Sequence, residues 1–155
     1  MFVLDRFDRA ILALVQRNNL QSQDEIGVRV GLSASAVRRR LKLLRNAGVI
    51  AADVSIVNPE KVGISVIVSI RFEKESHTTY EAFKSQMKAL PEVTQCYTVS
   101  GETDFIVIGH FADLPSYEVW IGQYLLSNPA IARSDTDIVY SRVKFSTAVT
   151  NSAGA

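Results

Sequence analysis

The sequence predicts an α+β protein of two modules, an N-terminal three-helix helix-turn-helix domain and a C-terminal ferredoxin-like βαββαβ domain. Three observations carry that expectation. Apolar residues recur at helical spacing up to Ile50, and from Ile64 to Phe72 they alternate with a period of two. Residues 1–50 hold nine Lys/Arg against four Asp/Glu, a balance of +5, whereas residues 51–155 hold eight against twelve, a balance of −4; the two return the net charge of +1. With 155 residues and 47% hydrophobic content, the chain can fill two small cores and is neither disordered nor collagen-like. The expected divisions are a helical domain over 1–50, a strand linker over 51–63, the ferredoxin-like domain over 64–146 and a flexible tail over 147–155. A sign split of this kind points to different partners, a polyanion for the basic module and something else for the acidic one.

Other classes fall away on composition. No apolar run approaches the roughly 20 residues of a membrane span, and Met1 to Asp8 carries acids where a signal peptide needs a basic start. The expectation is a soluble cytosolic protein with no membrane partner. A single cysteine, Cys96, leaves no internal disulfide and no cysteine-based zinc cluster.

In the first module Asp5 is placed to cap a helix carrying Phe7, Ile11, Leu14 and Val15, which Asn18-Asn19 interrupts. Ser22-Gln23-Asp24-Glu25 has the capping-box form, a hydroxyl and a carboxylate three residues apart that satisfy two orphan N–H groups. The helix it opens holds Ile26 and Val30 and stops at Gly31. Ser33 caps a third helix with Val37, Leu41 and Leu44, ended by Gly48, and Val49-Ile50 leads toward a strand. Two helices joined by the short turn Gly31-Leu32-Ser33 make a helix-turn-helix.

The third helix is the informative one. At about 100° per residue, Val37, Leu41 and Leu44 form one stripe, while Ser35, Arg39, Lys42 and Asn46 lie opposite, flanked by Arg38 and Arg45. Residues 33–47 contain four Arg, one Lys and no acid. A solvated face mixes signs; five like charges on one short helix repel one another until phosphates neutralise them. This is what a recognition helix offers double-stranded DNA. Ser35, Arg38, Arg39 and Lys42 are expected in the major groove and Arg45 on phosphate, with Ser33 and Ala36 completing the candidate contacts. Arg40 lies only about 60° from the apolar stripe, so a structural ion pair and a phosphate contact are both open to it.

In residues 51–63, Val54, Ile56 and Val57 give a short strand-like stretch, and Asn58-Pro59 and Gly63 mark turns. Ile64 to Phe72 alternates as a half-buried strand. Tyr80, Phe83, Met87 and Leu90 follow at helical spacing and Pro91 ends that helix. Val93 to Ser100 is a strand, Ser100-Gly101-Glu102-Thr103 a turn, and Phe105 to Phe111 an apolar strand. A helix from about Pro115 to Leu126 carries Tyr117, Trp120, Ile121 and Tyr124, more suited to a core than to a cofactor site. The last strand is expected over Ile138 to Phe145, with a start as early as Ala130 left open. Two helices cover one face of such a sheet. The other face includes Ile67, and Phe105–Gly109 is apolar on both sides, so an apolar patch is left that sheet-to-sheet dimerisation would bury.

Catalysis is the rival class. Glu102, Asp104, Asp135 and Asp137 could gather as a carboxylate site for a divalent metal. His77 and His110, one expected in a loop and one near a strand end, have no ligand spacing, and Cys96 has no cationic neighbour in sequence to activate it. There is no Gly-rich phosphate loop and no nucleophile elbow. No metal, cofactor or catalytic residue is expected.

Over residues 3 to 146 the chain resembles the Lrp/AsnC (leucine-responsive/asparagine-responsive, feast/famine) transcription regulators. The matching stretches are Leu4-Asp5-Arg6-Phe7-Asp8-Arg9-Ala10-Ile11-Leu12, Val30-Gly31-Leu32-Ser33, Val37-Arg38-Arg39-Arg40-Leu41-Lys42-Leu43-Leu44, Gly48-Val49-Ile50, Asn58-Pro59, Val99-Ser100-Gly101-Glu102-Thr103-Asp104 and Val143-Lys144. Ala34 stands where many members have Pro after the capping serine, and Thr103 where the effector loop often has an aromatic residue. The resemblance implies a prokaryotic, cytoplasmic, nucleoid-associated regulator. It implies homodimers that assemble further, as octamers or open helical arrays, with amino-acid effectors bound between dimers. It places the effector at Ser100, Gly101, Glu102, Thr103 and Asp104, with Tyr97, Leu114, Asp137, Ile138 and Val139 as selectors. Gly101 would let backbone N–H groups approach a carboxylate and Asp104 would accept from an ammonium. Asp104 as a cap of its own loop, Glu102 as a solvated turn residue, and an effector-independent architectural protein are the alternatives.

Overall fold

The computed structural model describes residues 2–149, which form two compact units: residues 2–56 together with 143–149, and Val57–Arg142. Among the described residues no helix is long and apolar enough to cross a membrane.

The first unit is built from α1 (Arg6–Val15), α2 (Gln23–Val30) and α3 (Ala34–Asn46). Each start is fixed by the side chains its sequence supplies. Asp5 and Asp8 form one capping box at α1, Ser22 and Glu25 another at α2, and Ser33 accepts from the Ala36 N–H at α3. Gly31 ends α2 with φ of 71°, a left-handed conformation that a side chain would strain. Ile11, Ile26, Val37 and Leu41 pack as the core, with Leu14, Val15, Val30, Leu32 and Ile50 around them. Neither Val49-Ile50 nor Val54–Val57 forms a strand. Val54, Ile56 and Val57 are exposed; β-propensity alone does not make a strand where no neighbouring strand pairs with it.

The second unit has β1 (Ile64–Phe72), α4 (His77–Ala89), β2 (Val93–Thr98), β3 (Phe105–Phe111), α5 (Leu114–Ile121) and β4 (Ile131–Ile138). The antiparallel sheet runs in the order β2-β3-β1-β4, the ferredoxin-like arrangement. Val66, Val68, Ile70 and Phe72 of β1 and Phe105, Val107 and Phe111 of β3 are buried on one face. They pack with Phe83 and Met87 of α4 and with Tyr117 and Trp120 of α5. The helix after α5 widens into a π-turn over Gly122–Leu126.

The last strand starts beside Ala130, the earlier start left open by the sequence, and ends well short of Phe145. It spans Ile131–Ile138 and not Ile138 to Phe145, with Ile138 opposite Val66 and Ile131 opposite Phe72. Once β1 is used up there is nothing left to pair with, and the final sheet bond runs from the Val139 N–H to the Ser65 carbonyl. The apolar residues that suggested a later strand, Tyr140, Val143 and Phe145, are exposed. Of the expected tail, residues 150–155 lie outside the described residues, while the Val149 N–H donates to Gln16 Oε1 at 2.7 Å.

Candidate nucleic-acid interface and effector turn

Helix α3 presents the cations that its sequence places opposite its core stripe. Ser35, Arg38, Arg39 and Lys42 are exposed, Ala36 is half-buried, and Ser33 sits at the cap with its hydroxyl 3.1 Å from that of Ser35. Arg38 Nε donates to Gln23 Oε1 at 2.9 Å, so the first turn of α2 steadies one arginine of α3. Among the described residues neither Arg39 nor Lys42 takes part in an ion pair.

Arg40 turns inward. Its Nη1 lies 2.8 Å from Asp5 Oδ2 and 2.7 Å from Asp8 Oδ1, and its guanidinium sits 5.3 Å from the centre of the Phe7 ring. These carboxylates hold the guanidinium pKa up, Asp8 foremost. Asp8 is the buried acid of this core, and α1 and α3 are thereby locked together. Arg45, expected on phosphate, instead grips a carboxylate of the connector: its Nε and Nη2 lie 2.7 and 3.0 Å from Asp53. The Asn19 amide donates to the same carboxylate at 2.7 Å. Arg45 and then Asn19 hold the Asp53 carboxyl below its usual range. Sequence reasoning does not single out Gln23, Asn19 or Asp53. Only Asp53 carries a signal there, as the one charged residue between Ala47 and Pro59.

The turn between β2 and β3 is held from below. The Asp104 N–H donates to the Ile70 carbonyl at 2.9 Å. The Asp104 carboxylate accepts from the Phe72 N–H at 2.7 Å and from the Tyr80 hydroxyl at 2.5 Å. Both oxygens therefore serve to tie the turn to β1 and α4, a role distinct from capping its own loop. The hydrogen bond to Asp104, ahead of burial, pushes the Tyr80 pKa up to about 12. Ser100, Gly101 and Glu102 are exposed and Thr103 is half-buried. Gly101 takes φ of 132°, open to glycine and strained for other residues, although a Cβ there would meet nothing within 4 Å.

Within one chain the remaining selector residues are not at this turn. Tyr97 is near it, opposite Ile106, with its hydroxyl donating to Gln95. Asp137, Ile138 and Val139 lie along Ser65–Ile67, and Leu114 follows the end of β3 that pairs with Ile64. That is the far end of β1, about 20 Å from Phe72 at the rise of a strand.

The proposed metal carboxylates do not converge. Asp135 pairs with Arg133 at 2.7 Å and Asp104 is engaged as described. Among the described residues no three of His, Cys, Asp or Glu are placed to hold a metal ion. His77 opens α4 rather than lying in a loop, and burial pushes the Cys96 thiol pKa up, away from reactivity.

A basic helix-turn-helix followed by a ferredoxin-like domain defines a two-module DNA-binding regulator, and its relatives give it a family. Residues 4–51 match the winged helix-turn-helix DNA-binding pattern and residues 65–149 match the Lrp/AsnC ligand binding domain. An HTH-type transcriptional regulator of Sinorhizobium fredii is 42% identical over 94% of this chain and 88% of its own. The leucine-responsive regulatory protein of Escherichia coli is 31% identical over 91% of this chain and 87% of its own. A transcriptional regulator from Neisseria meningitidis, crystallised as a complex with L-Met, superposes with a TM-score of 0.87 at 27% identity, covering 96% of this chain and 97% of that one. The chain belongs to the Lrp/AsnC family of DNA-binding transcription regulators, with a ligand-binding C-terminal domain.

Proposed function

We propose that this regulator is a sequence-specific DNA-binding protein whose DNA binding or assembly responds to an amino acid bound at the turn Ser100–Asp104. It acts as a cytoplasmic, nucleoid-associated regulator and not as an enzyme. Ser35, Arg38, Arg39 and Lys42 read the major groove, with Ser33, Ala36 and Arg45 beside them. The observation that carries the effector is Gly101 at φ of 132°, which leaves an exposed turn where backbone N–H groups can meet a carboxylate. The L-Met complex of the Neisseria meningitidis relative supports an amino acid as the ligand class.

The separation of the selector residues supports assembly. Tyr97 and residues 100–104 sit at one end of the sheet; Leu114 and Asp137–Val139 sit at the other. Only different chains of a homodimer or a larger oligomer, such as an octamer, can bring both ends to one ligand. An effector-independent architectural protein is the second reading. It is favoured by one observation, the engagement of both Asp104 oxygens with Phe72 and Tyr80.

A thermal-denaturation screen against the common amino acids decides between them. A ligand bound only by the folded state raises the unfolding midpoint, and the same ligand should shift DNA affinity. Gly101→Val should lower the ligand-free midpoint, because φ of 132° strains a side chain there, and should lose the further rise that the ligand brings. If no amino acid moves either quantity at millimolar concentration, the architectural reading stands.

A further inference from the structure

Arg45 and Asp53 form an unusual pair for a DNA-facing helix. Five cations lie on α3, and two of them are held by carboxylates. The pair of Arg40 with Asp8 is largely enclosed, their side chains being 21% and 8% exposed, and it works as a strut. The pair of Arg45 with Asp53 is open to solvent, at 40% and 39%. Arg38, Lys42 and Arg45 follow one another at i, i+4 and i+7 along the helix, so Arg45 continues the basic stripe into its last turn.

The geometry of the pair is two-pronged. Nε and Nη2 of Arg45 meet the two oxygens of Asp53 at 2.7 and 3.0 Å. A guanidinium fork grips a phosphate through the same two parallel N–H bonds. Asn19, from the loop between α1 and α2, holds the Asp53 carboxylate in place at 2.7 Å. A carboxylate carried by the connector thus fills the position a DNA phosphate would take. Such an exposed pair is screened by salt and weak enough to be exchanged.

We propose that Asp53 is an internal stand-in for a DNA phosphate on Arg45, making it a residue that sets DNA affinity. DNA displaces it, and residues 51–56, which lead from the helical unit into Val57, are released from α3 as the helix engages. The inference rests on the reading of α3 as the DNA-contacting helix, with Arg45 reaching phosphate.

The test uses the full chain and a mixed-sequence duplex over a series of salt concentrations. Asp53→Asn should bind about two- to fivefold more tightly at low salt, the range set by an exposed ion pair. The slope of log Kd against log salt should change by less than one, since Arg45 meets the same phosphate in both chains. Arg45→Gln should weaken binding, and adding Asp53→Asn to it should bring no gain. Addition of DNA to the native chain should raise the fast backbone mobility of Ala52–Ile56 read by amide nitrogen relaxation, because the ties of Asp53 to Arg45 and Asn19 hold that stretch. An Asp53→Asn chain that binds no more tightly overturns the inference while leaving the DNA-contacting helix intact. A gain that persists with Arg45→Gln also overturns it, by assigning the effect to the loss of one negative charge near DNA. An Arg45→Gln chain with unchanged affinity and salt slope removes Arg45 from the interface and takes the inference with it. Unchanged mobility at Ala52–Ile56 overturns the release of the connector.

Discussion

Arg38, Arg39 and Arg40 are adjacent in the chain and meet three different surroundings. Arg38 is braced by Gln23, Arg39 is exposed, and Arg40 is clasped by Asp5 and Asp8. Helical geometry alone separates them, because successive residues turn by about 100°. Arg39→Ala should weaken binding to a specific site by about 1–3 kcal/mol if it reads a guanine edge, with a smaller loss on random duplex in a titration of both. Equal losses would place it on phosphate. Arg40→Ala should leave DNA contacts in place and instead cost about 1–3 kcal/mol of stability, read as a lower urea midpoint, because Asp8 stays buried without its cation. If Arg40→Ala unfolds at the native midpoint, the strut is dispensable. The caps at Asp5, Ser22 and Ser33 were legible because a capping side chain acts within three residues. Asp53 and Tyr80 were not, since their partners Arg45 and Asp104 lie 8 and 24 positions away and only folding brings them together.

Elements followed the same division between local and distant causes. Strand β1 has the bounds its alternation predicts and β3 those of its apolar run, because one face of each is buried, from Val66 on in β1 and throughout β3. Strand β4 does not. Its central residues, Arg133 to Asp137, are polar, and its place is set by pairing with β1 and not by its own composition. The connector fails as a strand for the same reason. The turn before β3 shows how such distant bonds hold an element, and it carries a pH signature. Tyr80 ionises at about 12 in the folded chain against an ordinary 10.0, so the folded state favours the neutral phenol. Its stabilising contribution should be complete below the ordinary value and lost as pH rises toward the folded one. Alkaline unfolding followed by circular dichroism should show that loss over this interval, and Tyr80→Phe should flatten it. A native-like alkaline profile in Tyr80→Phe would mean that the bond to Asp104 does not hold the turn.

At the scale of the whole molecule, the sheet face away from the helices offers a surface for a partner. Pairing places Ile67 of β1 with Ile108 of β3, and Tyr97 of β2 with Ile106, on that face. Ile67, Ile106 and Ile108 are only half-buried and Tyr97 is exposed, while Ser65, Ser69 and Asp137 border them. A contiguous apolar patch with a polar rim is the usual form of an interface. A two-fold pairing of such faces would bury it twice over and present two α3 helices to DNA, as paired helix-turn-helix units require for half-sites about one turn apart. Residues 58–155, freed of the three helices of the first unit, should therefore remain at least dimeric by light scattering, because the patch lies wholly within them. In the full chain Ile108→Lys puts a charge at the centre of the patch and should yield monomers. Those monomers should keep the native helical signal by circular dichroism, since Ile108 is not part of the core on the helix side. They should also bind DNA far more weakly, because the second helix-turn-helix no longer engages at the effective concentration a dimer provides. A monomeric 58–155 fragment, or an Ile108→Lys chain that stays oligomeric, would show that assembly uses a different surface, and the coupling between the sheet and DNA binding would fall with it.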